Sequence, residues 1–215
     1  MTSGSNHVLI SAGGPEQDPE ALRSHIGEFK KCIAADGGLR LLKRLEFSCD
    51  LLVGDFDTLS PEEVQEAREC GLKTKRFSPH KDQSDLELAI LEAISWGASH
   101  VTIIGALGGE WDHTLLNLLA PLSLCSEHSV QARLLSSEVQ IYLLDSSASL
   151  NAQGQRVSLC ALSKVVNGLK LKGFQYDLDS VALKRSQTLG LANRAQHTHA
   201  KIEFESGELL LALLN

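Results

Sequence analysis

Asp50-Leu51-Leu52-Val53-Gly54-Asp55-Phe56-Asp57-Thr58-Leu59-Ser60-Pro61 reads as a strand, a sharp loop and the start of a helix. Leu51, Leu52 and Val53 form the short apolar run of a parallel strand buried on both faces. Gly54 lets the chain turn with no side chain in the way. Ser60, Pro61 and Glu63 spell an N-cap, a proline at the first helical position and a glutamate that closes a capping box. Asp55 and Asp57 therefore fall in a short loop at the carboxyl end of a strand, the edge where open α/β sheets bind ligands. Two carboxylates one residue apart repel each other, and near neutral pH they require a cation, a shared proton or full solvation. Mg²⁺, which takes oxygen ligands and bridges to phosphates, suits them. Asp-x-Asp alone is more often solvated turn chemistry; its neighbours along the chain change that reading.

Upstream, residues 7–12 read as a first strand, ended by Gly13-Gly14-Pro15, which is not the G-x-G-x-x-G of a dinucleotide fingerprint. A modest helix is expected over 19–29, a second strand over 31–35, then Asp36-Gly37-Gly38 and a helix over 39–45. Downstream, the helix opened by Ser60 runs to Cys70, where Gly71 is a good residue just past the end. A short strand is expected over 72–77. Ser84 and Glu87 make a second capping box, and Leu86, Ala89, Ile90, Ala93 and Ile94 follow at helical spacing. Asp85 falls at the first position of that helix, where the dipole favours a carboxylate by about 0.3–1 kcal/mol. The plain reading of Lys81 and Asp82 is a solvated loop. A buried strand over 101–105 is followed by Gly108-Gly109-Glu110-Trp111-Asp112-His113 and an apolar helix over 114–124. Asp112 reads as an N-cap and His113 as a structural histidine when each is taken alone. One or two further strands occupy 132–144.

Strand ends thus deliver Asp36, then Asp55 with Asp57, then Asp112, and a fourth loop brings Lys81, Asp82 and Asp85 to a helix start. Right-handed crossovers in a parallel sheet put such loops on one edge. A metal–polyphosphate site explains that convergence better than four independent solvated turns.

From about residue 151 the helical pattern stops. Short strands are expected over 156–162, 165–171, 181–185, 200–204 and 208–214, with turns at Asn167-Gly168, Gly173 and Ser206-Gly207. The fold class expected is therefore α/β: an N-terminal parallel-sheet domain over 1–146 and a smaller C-terminal antiparallel β-sandwich over 150–215, with the boundary within 145–154. His197 and His199, on a strand, would face one side; lacking a third ligand they read as a surface pair.

The chain has 215 residues, 43% hydrophobic and 22% charged, enough for one or two domains with a sizeable core. A formal net charge of −7 argues against nucleic acid as a partner. The five cysteines are scattered and lack any C-x-x-C, which excludes a disulfide framework and a zinc site and points to a reducing, cytoplasmic setting. No apolar run suits a membrane span and no signal peptide is read at the N-terminus.

Ala35-Asp36-Gly37-Gly38, Gly54-Asp55-Phe56-Asp57-Thr58, Lys81-Asp82-Gln83-Ser84-Asp85, Gly108-Gly109-Glu110-Trp111-Asp112-His113 and Gly190-Leu191-Ala192-Asn193 stand in the order and spacing of one family. The chain resembles the thiamine pyrophosphokinases over nearly its whole length. The resemblance implies a homodimer with thiamine bound between the catalytic domain of one subunit and the sandwich of the other. It implies transfer of a pyrophosphoryl group from ATP to the thiamine hydroxyl, leaving AMP. It also implies Asp55, Asp57 and Asp85 as Mg²⁺ ligands, and Asp36, Lys81, Asp82, Ser84, Asp112 and His113 as the rest of the nucleotide and pyrophosphate site. Leu191 and Asn193 match the thiamine-facing segment, and Asp85 or Asp112 would accept the proton of the alcohol. Glu110 stands where the family usually has arginine, removing a possible phosphate contact. Ala192 replaces a usual serine, removing a hydroxyl near the vitamin. Thr58 and Ser84 are milder exchanges among hydroxyl residues.

Three rivals remain at this level. A haloacid-dehalogenase phosphatase also uses Asp-x-Asp after an apolar strand, but wants threonine or valine where Leu59 stands. A pterin diphosphokinase on a similar scaffold differs in substrate alone. A non-catalytic thiamine- or nucleotide-binding protein would not need all the carboxylates.

Overall fold

The computed structural model describes residues 6–15 and 18–214. The chain divides into two units, Met1–Ser137 and Glu138–Asn215. The first runs β1 (His7–Ser11), α1 (Pro19–Ile26), β2 (Lys31–Ala35), α2 (Gly38–Arg44), β3 (Leu51–Gly54), α3 (Pro61–Glu69), β4 (Lys73–Arg76), α4 (Asp85–Ser95), β5 (His100–Ile104), α5 (Trp111–Glu127) and β6 (Gln131–Leu135). Its six strands are parallel in the order β4-β3-β2-β1-β5-β6. Strand order steps outward from β1 to β4, then returns to β1's other side with β5. Val8, Leu9 and Ile10 of β1 have no exposed surface, as a strand covered on both faces requires.

The helix starts follow their local chemistry. Ser60 Oγ accepts from the Glu63 N–H at 3.2 Å, and Glu63 Oε2 accepts from the Ser60 N–H at 2.8 Å. Ser84 and Glu87 repeat the arrangement at α4. Helix α5 is longer than its apolar pattern suggested and begins at Trp111. Glu110, not Asp112, holds the N-cap position, without a side-chain cap, and Asp112 lies in the first turn. Pro121 sits inside α5.

The second unit comprises β7 (Val139–Leu144), β8 (Ala148–Leu150), β9 (Arg156–Ala161), β10 (Val165–Lys172), β11 (Leu178–Lys184), β12 (Asn193–Arg194), β13 (Ala200–Glu203) and β14 (Leu209–Leu214). Two antiparallel four-stranded layers, β12-β9-β14-β7 and β11-β10-β13-β8, enclose one apolar core. Val157, Leu159 and Leu211 from the first layer meet Val166, Leu171 and Ile202 from the second.

The second unit begins with β7, which pairs with β14 along its whole length, from Val139–Leu214 to Leu144–Leu209, and β8 pairs with β13. Two local expectations are corrected. Asn167-Gly168 is not a hairpin turn. It lies inside β10 as an irregularity, with a register shift between Val166 and Leu169 and Gly168 at φ +66°. His197 and His199 lie in the turn before β13 and not on a strand.

The tightest packing in the first unit is between backbones. A Cβ placed on Gly38 would lie 1.9 Å from the Ser11 carbonyl oxygen, so α2 begins directly against the end of β1. Gly13 tolerates a Cβ at 3.4 Å from Gly37 Cα. Gly38→Ala is expected to cost about 3 kcal/mol or more and Gly13→Ala under about 1 kcal/mol in denaturant unfolding. Equal midpoints for the two variants would refute that packing account.

Candidate active site

The strand-order reversal lies between β1 and β5, where open α/β sheets usually bind ligands. Here the backbone bonds continue beyond the strand ends. The Ala12 N–H donates to Ile104 O at 2.8 Å and the Gly14 N–H to Gly105 O at 2.7 Å. The acidic residues gather instead beyond β2 and β3.

Asp36 follows β2 directly. Its backbone is left-handed, φ +43°, a conformation that aspartate tolerates better than most residues, and its N–H donates to Val53 O at 2.8 Å. The loop after β3 reverses at Phe56, φ +64°, whose ring is buried beneath the loop. That turn brings oxygens of Asp36, Asp55 and Asp57 within 4.8 Å of one another. The Asp57 N–H donates to Asp55 Oδ1 at 3.2 Å. Arg40 braces the loop from α2: it donates to the Thr58 carbonyl at 3.0 Å and forks onto both Glu63 oxygens at 2.7 Å. The Arg40 fork, with the Ser60 N–H, holds the Glu63 carboxyl down at about 2.

Gly54 forms the floor. A Cβ there would lie 3.1 Å from Asp36 Cβ and 3.3 Å from Asp85 Cγ, and its φ of +151° disfavours any side chain. The missing side chain leaves a cradle between carboxylates of β2, β3 and α4. Asp36 is 6% exposed, and its Oδ1 is enclosed with no hydrogen-bond partner among the described residues. Burial pushes the Asp36 carboxyl above its ordinary value; hydrogen bonding from Thr58 opposes this, and the charges of Asp85 and Asp57 add to it. Asp85 Oδ1 is likewise enclosed; Lys81 Nζ lies 2.9 Å from it and 3.6 Å from Asp55 Oδ2. Burial works against the Lys81 ammonium, but Asp85 and Asp55 outweigh it and the net direction is upward.

This donor set fits a hard divalent cation. It offers carboxylate oxygens, an enclosed oxygen without a donor, and an empty-handed glycine between them. Asp36, expected on the nucleotide side, stands among the carboxylates beside Asp55 and Asp57. Asp82, Ser84 and His113 line a separate groove of about 430 Å³ between α4 and α5, walled by Ile90, Leu116 and Asn117. Asp112 groups with Glu110 and His113 on the exposed first turn of α5. The sequence reading had no signal for Gly54 as the floor beyond its freedom to turn, nor for Thr58 beside Asp36.

In the β unit, Leu191 is 62% exposed while Asn193 is only 5% exposed. The Asn193 amide is engaged with backbone: Oδ1 accepts from the Tyr176 N–H at 3.1 Å and the Arg194 N–H at 2.8 Å, and Nδ2 donates to Tyr176 O at 2.8 Å. Asn193 therefore shapes the loop that presents Tyr176, which with Leu189 and Leu191 leaves apolar surface in solvent.

Comparison with known proteins agrees across both units. The family model of the thiamin pyrophosphokinase catalytic domain matches residues 22–134, and that of the thiamin pyrophosphokinase vitamin B1 binding domain matches residues 144–209. A thiamine pyrophosphokinase of Bacillus subtilis is 25% identical over 207 residues, 95% of this chain and 96% of its own. The crystal structure of thiamine pyrophosphokinase from Bacillus subtilis aligns with a TM-score of 0.86 at 24% identity, covering 97% of this chain and 99% of that one. A thiamin pyrophosphokinase family protein from Enterococcus faecalis aligns at 0.79 with 26% identity, over 98% and 99%. With its α/β unit and its β unit each matched in turn, the chain belongs to the thiamin pyrophosphokinase family.

Proposed function

We propose that the protein is a thiamine diphosphokinase, transferring a pyrophosphoryl group from ATP to the hydroxyl of thiamine to give thiamine diphosphate and AMP. The observation that carries this reading is the carboxylate cradle over Gly54, with an enclosed, unpartnered oxygen on Asp36. Family membership supplies the substrate class.

Asp55, Asp57 and Asp85, joined by Asp36, are the residues to hold Mg²⁺. Bound there, it would supply positive charge against the charge that builds on the transferred group. Lys81, whose ammonium already reaches the cradle, is placed to meet a phosphate oxygen. Asp82, Ser84 and His113 line the adjoining groove, whose apolar wall of Ile90 and Leu116 suits a nucleoside. Asp85 or Asp112 takes the proton of the attacking alcohol late in the reaction. Leu191, presented by the loop that Asn193 fixes, contributes apolar contact to thiamine.

The protein also acts, on this reading, as a homodimer in a reducing cytoplasm. Trp111, Leu115 and Leu116 of α5 stand 87%, 57% and 64% exposed, an apolar surface that suits burial against a second copy. All five cysteines are free thiols. Among the described residues, no helix is long and apolar enough to cross a membrane.

Purified protein given ATP, Mg²⁺ and thiamine should form AMP and thiamine diphosphate in equal amounts. Inorganic phosphate alone would indicate a phosphatase, and turnover of a pterin in place of thiamine would reassign the substrate. Asp57→Asn should lower turnover about a hundredfold or more with the fold intact by circular dichroism; near-normal turnover would remove Asp57 from the metal ligands.

Asp36→Asn should stabilise the protein at neutral pH. The raised Asp36 value means the folded state favours the protonated form, so the cost of Asp36 appears as pH rises through that value and is absent below the unfolded range. In the metal-free protein a higher melting temperature at pH 7.5, with the difference vanishing at acid pH below the unfolded carboxylate range, is expected. A loss of stability at pH 7.5 would contradict it.

Leu115→Glu should convert the dimer to monomers in light scattering and suppress activity. A Leu115→Glu dimer would exclude this α5 surface from the interface.

A further inference from the structure

Lys81 lies in the loop between β4 and α4 and reaches carboxylates from two other places in the fold. Its Nζ is 2.9 Å from Asp85 Oδ1 at the first turn of α4 and 3.6 Å from Asp55 Oδ2 in the loop after β3. Both carboxylates, and Lys81 itself, are largely enclosed: their side chains are 24%, 14% and 13% exposed. Apart from Lys81, no group among the described residues satisfies Asp85 Oδ1.

We infer that Lys81 is a built-in competitor for the divalent cation, an ammonium that occupies the carboxylates of Asp55 and Asp85 until phosphate draws it away. The inference rests on the reading of those carboxylates as metal ligands. An ammonium 2.9 Å from Asp85 Oδ1 already offsets part of the negative charge that would hold a divalent ion there. A divalent ion and an ammonium sharing one cradle also repel strongly at such distances. Each cation therefore weakens binding of the other, and metal binding is strongest once the ammonium has moved off the carboxylates. Lysine suits the part that moves: it is a compact charge on a flexible four-carbon stem, with three donors and no fixed fork. A polyphosphate arriving at the cradle offers it a new anionic partner. Release of Asp55 and Asp85 follows, and the cation is admitted with the nucleotide rather than before it. The thermodynamic content is positive coupling between phosphate and metal, by the same factor in either order.

A fixed structural salt bridge would behave oppositely. Its removal would leave crowded carboxylates without a counter-charge, and any loosening of the cradle would weaken metal binding.

The test is a calorimetric titration of Mn²⁺ into the full chain without nucleotide, for the wild type, Lys81→Met, Lys81→Gln and Lys81→Arg. Lys31→Met, at the opposite end of β2, controls for the loss of one positive charge. Circular dichroism and thermal unfolding establish that each variant is folded, and Lys81→Gln serves if Lys81→Met is not. The neutral variants should bind Mn²⁺ about fivefold or more tightly than the wild type, the exchange equivalent of about 1 kcal/mol. Lys81→Arg and Lys31→Met should stay close to the wild type. Equal or weaker binding by the neutral Lys81 variants, with Mn²⁺ bound by the wild type, overturns the competition and leaves the metal site standing. Failure of every protein to bind Mn²⁺ overturns both.

Discussion

Repulsion among carboxylates at one edge of a parallel sheet is the force that the rest of the N-terminal unit contains. A parallel sheet has no choice about that edge, since each crossover returns the chain to the same starting side. Asp36, Asp55 and Asp57 emerge there because β2 and β3 are neighbours running the same way. Containment is structural. Asp36 is held by its left-handed backbone and its bond to Val53, the loop after β3 is pinned from below by Phe56 and from the side by Arg40, and Gly54 leaves the space into which the oxygens point. Without that scaffold the carboxylates would separate into solvent. With it, their mutual cost becomes affinity for whatever positive charge enters.

The N-terminal unit was legible because its signals are local. Capping boxes at Ser60 and Ser84 fix helix starts whatever the rest of the chain does, and the run Leu51-Leu52-Val53 has one comfortable home. The loop carrying Asp55 and Asp57 follows from those two boundaries. What distance in sequence concealed was Gly54's second office as the space between Asp36 and Asp85, residues eighteen before and thirty-one after it. The start of α5 was misjudged for a different reason. Trp111 sits in solvent, so it falls outside the apolar periodicity by which a helix is recognised.

In the β unit the misreadings share a cause. Asn-Gly is a strong turn signal in an isolated hairpin, yet Asn167 and Gly168 lie in β10, where Asn167 exchanges backbone bonds with residues 205 and 206. Tertiary pairing overrode the local preference, and the positive φ of Gly168 was absorbed as a strand irregularity. Distance hides the partner of β7 as well: it looks like a continuation of the α/β pattern until β14, seventy residues later, pairs with it. Asn193 was singled out by motif, and its buried amide is taken up by the backbone of Tyr176 and Arg194.

Pro121 gives α5 a joint. Proline has no N–H to donate to the carbonyl four residues back and crowds it sterically, so a helix is softest at that turn. Downstream, Leu122 and Cys125 anchor the helix in the core; upstream, Trp111, Leu115 and Leu116 lie in solvent. The upstream arm is tied to the loop after β5 by two bonds, Thr114 Oγ1 to Gly108 O and Asn117 Nδ2 to Ala106 O. The first turns of α5 and the glycine loop are therefore tied together along one wall of the groove. Glu110, Asp112 and His113 stand at the far end of that tied segment, so the groove wall is anchored in the core at its base and held only by loop bonds at its mouth.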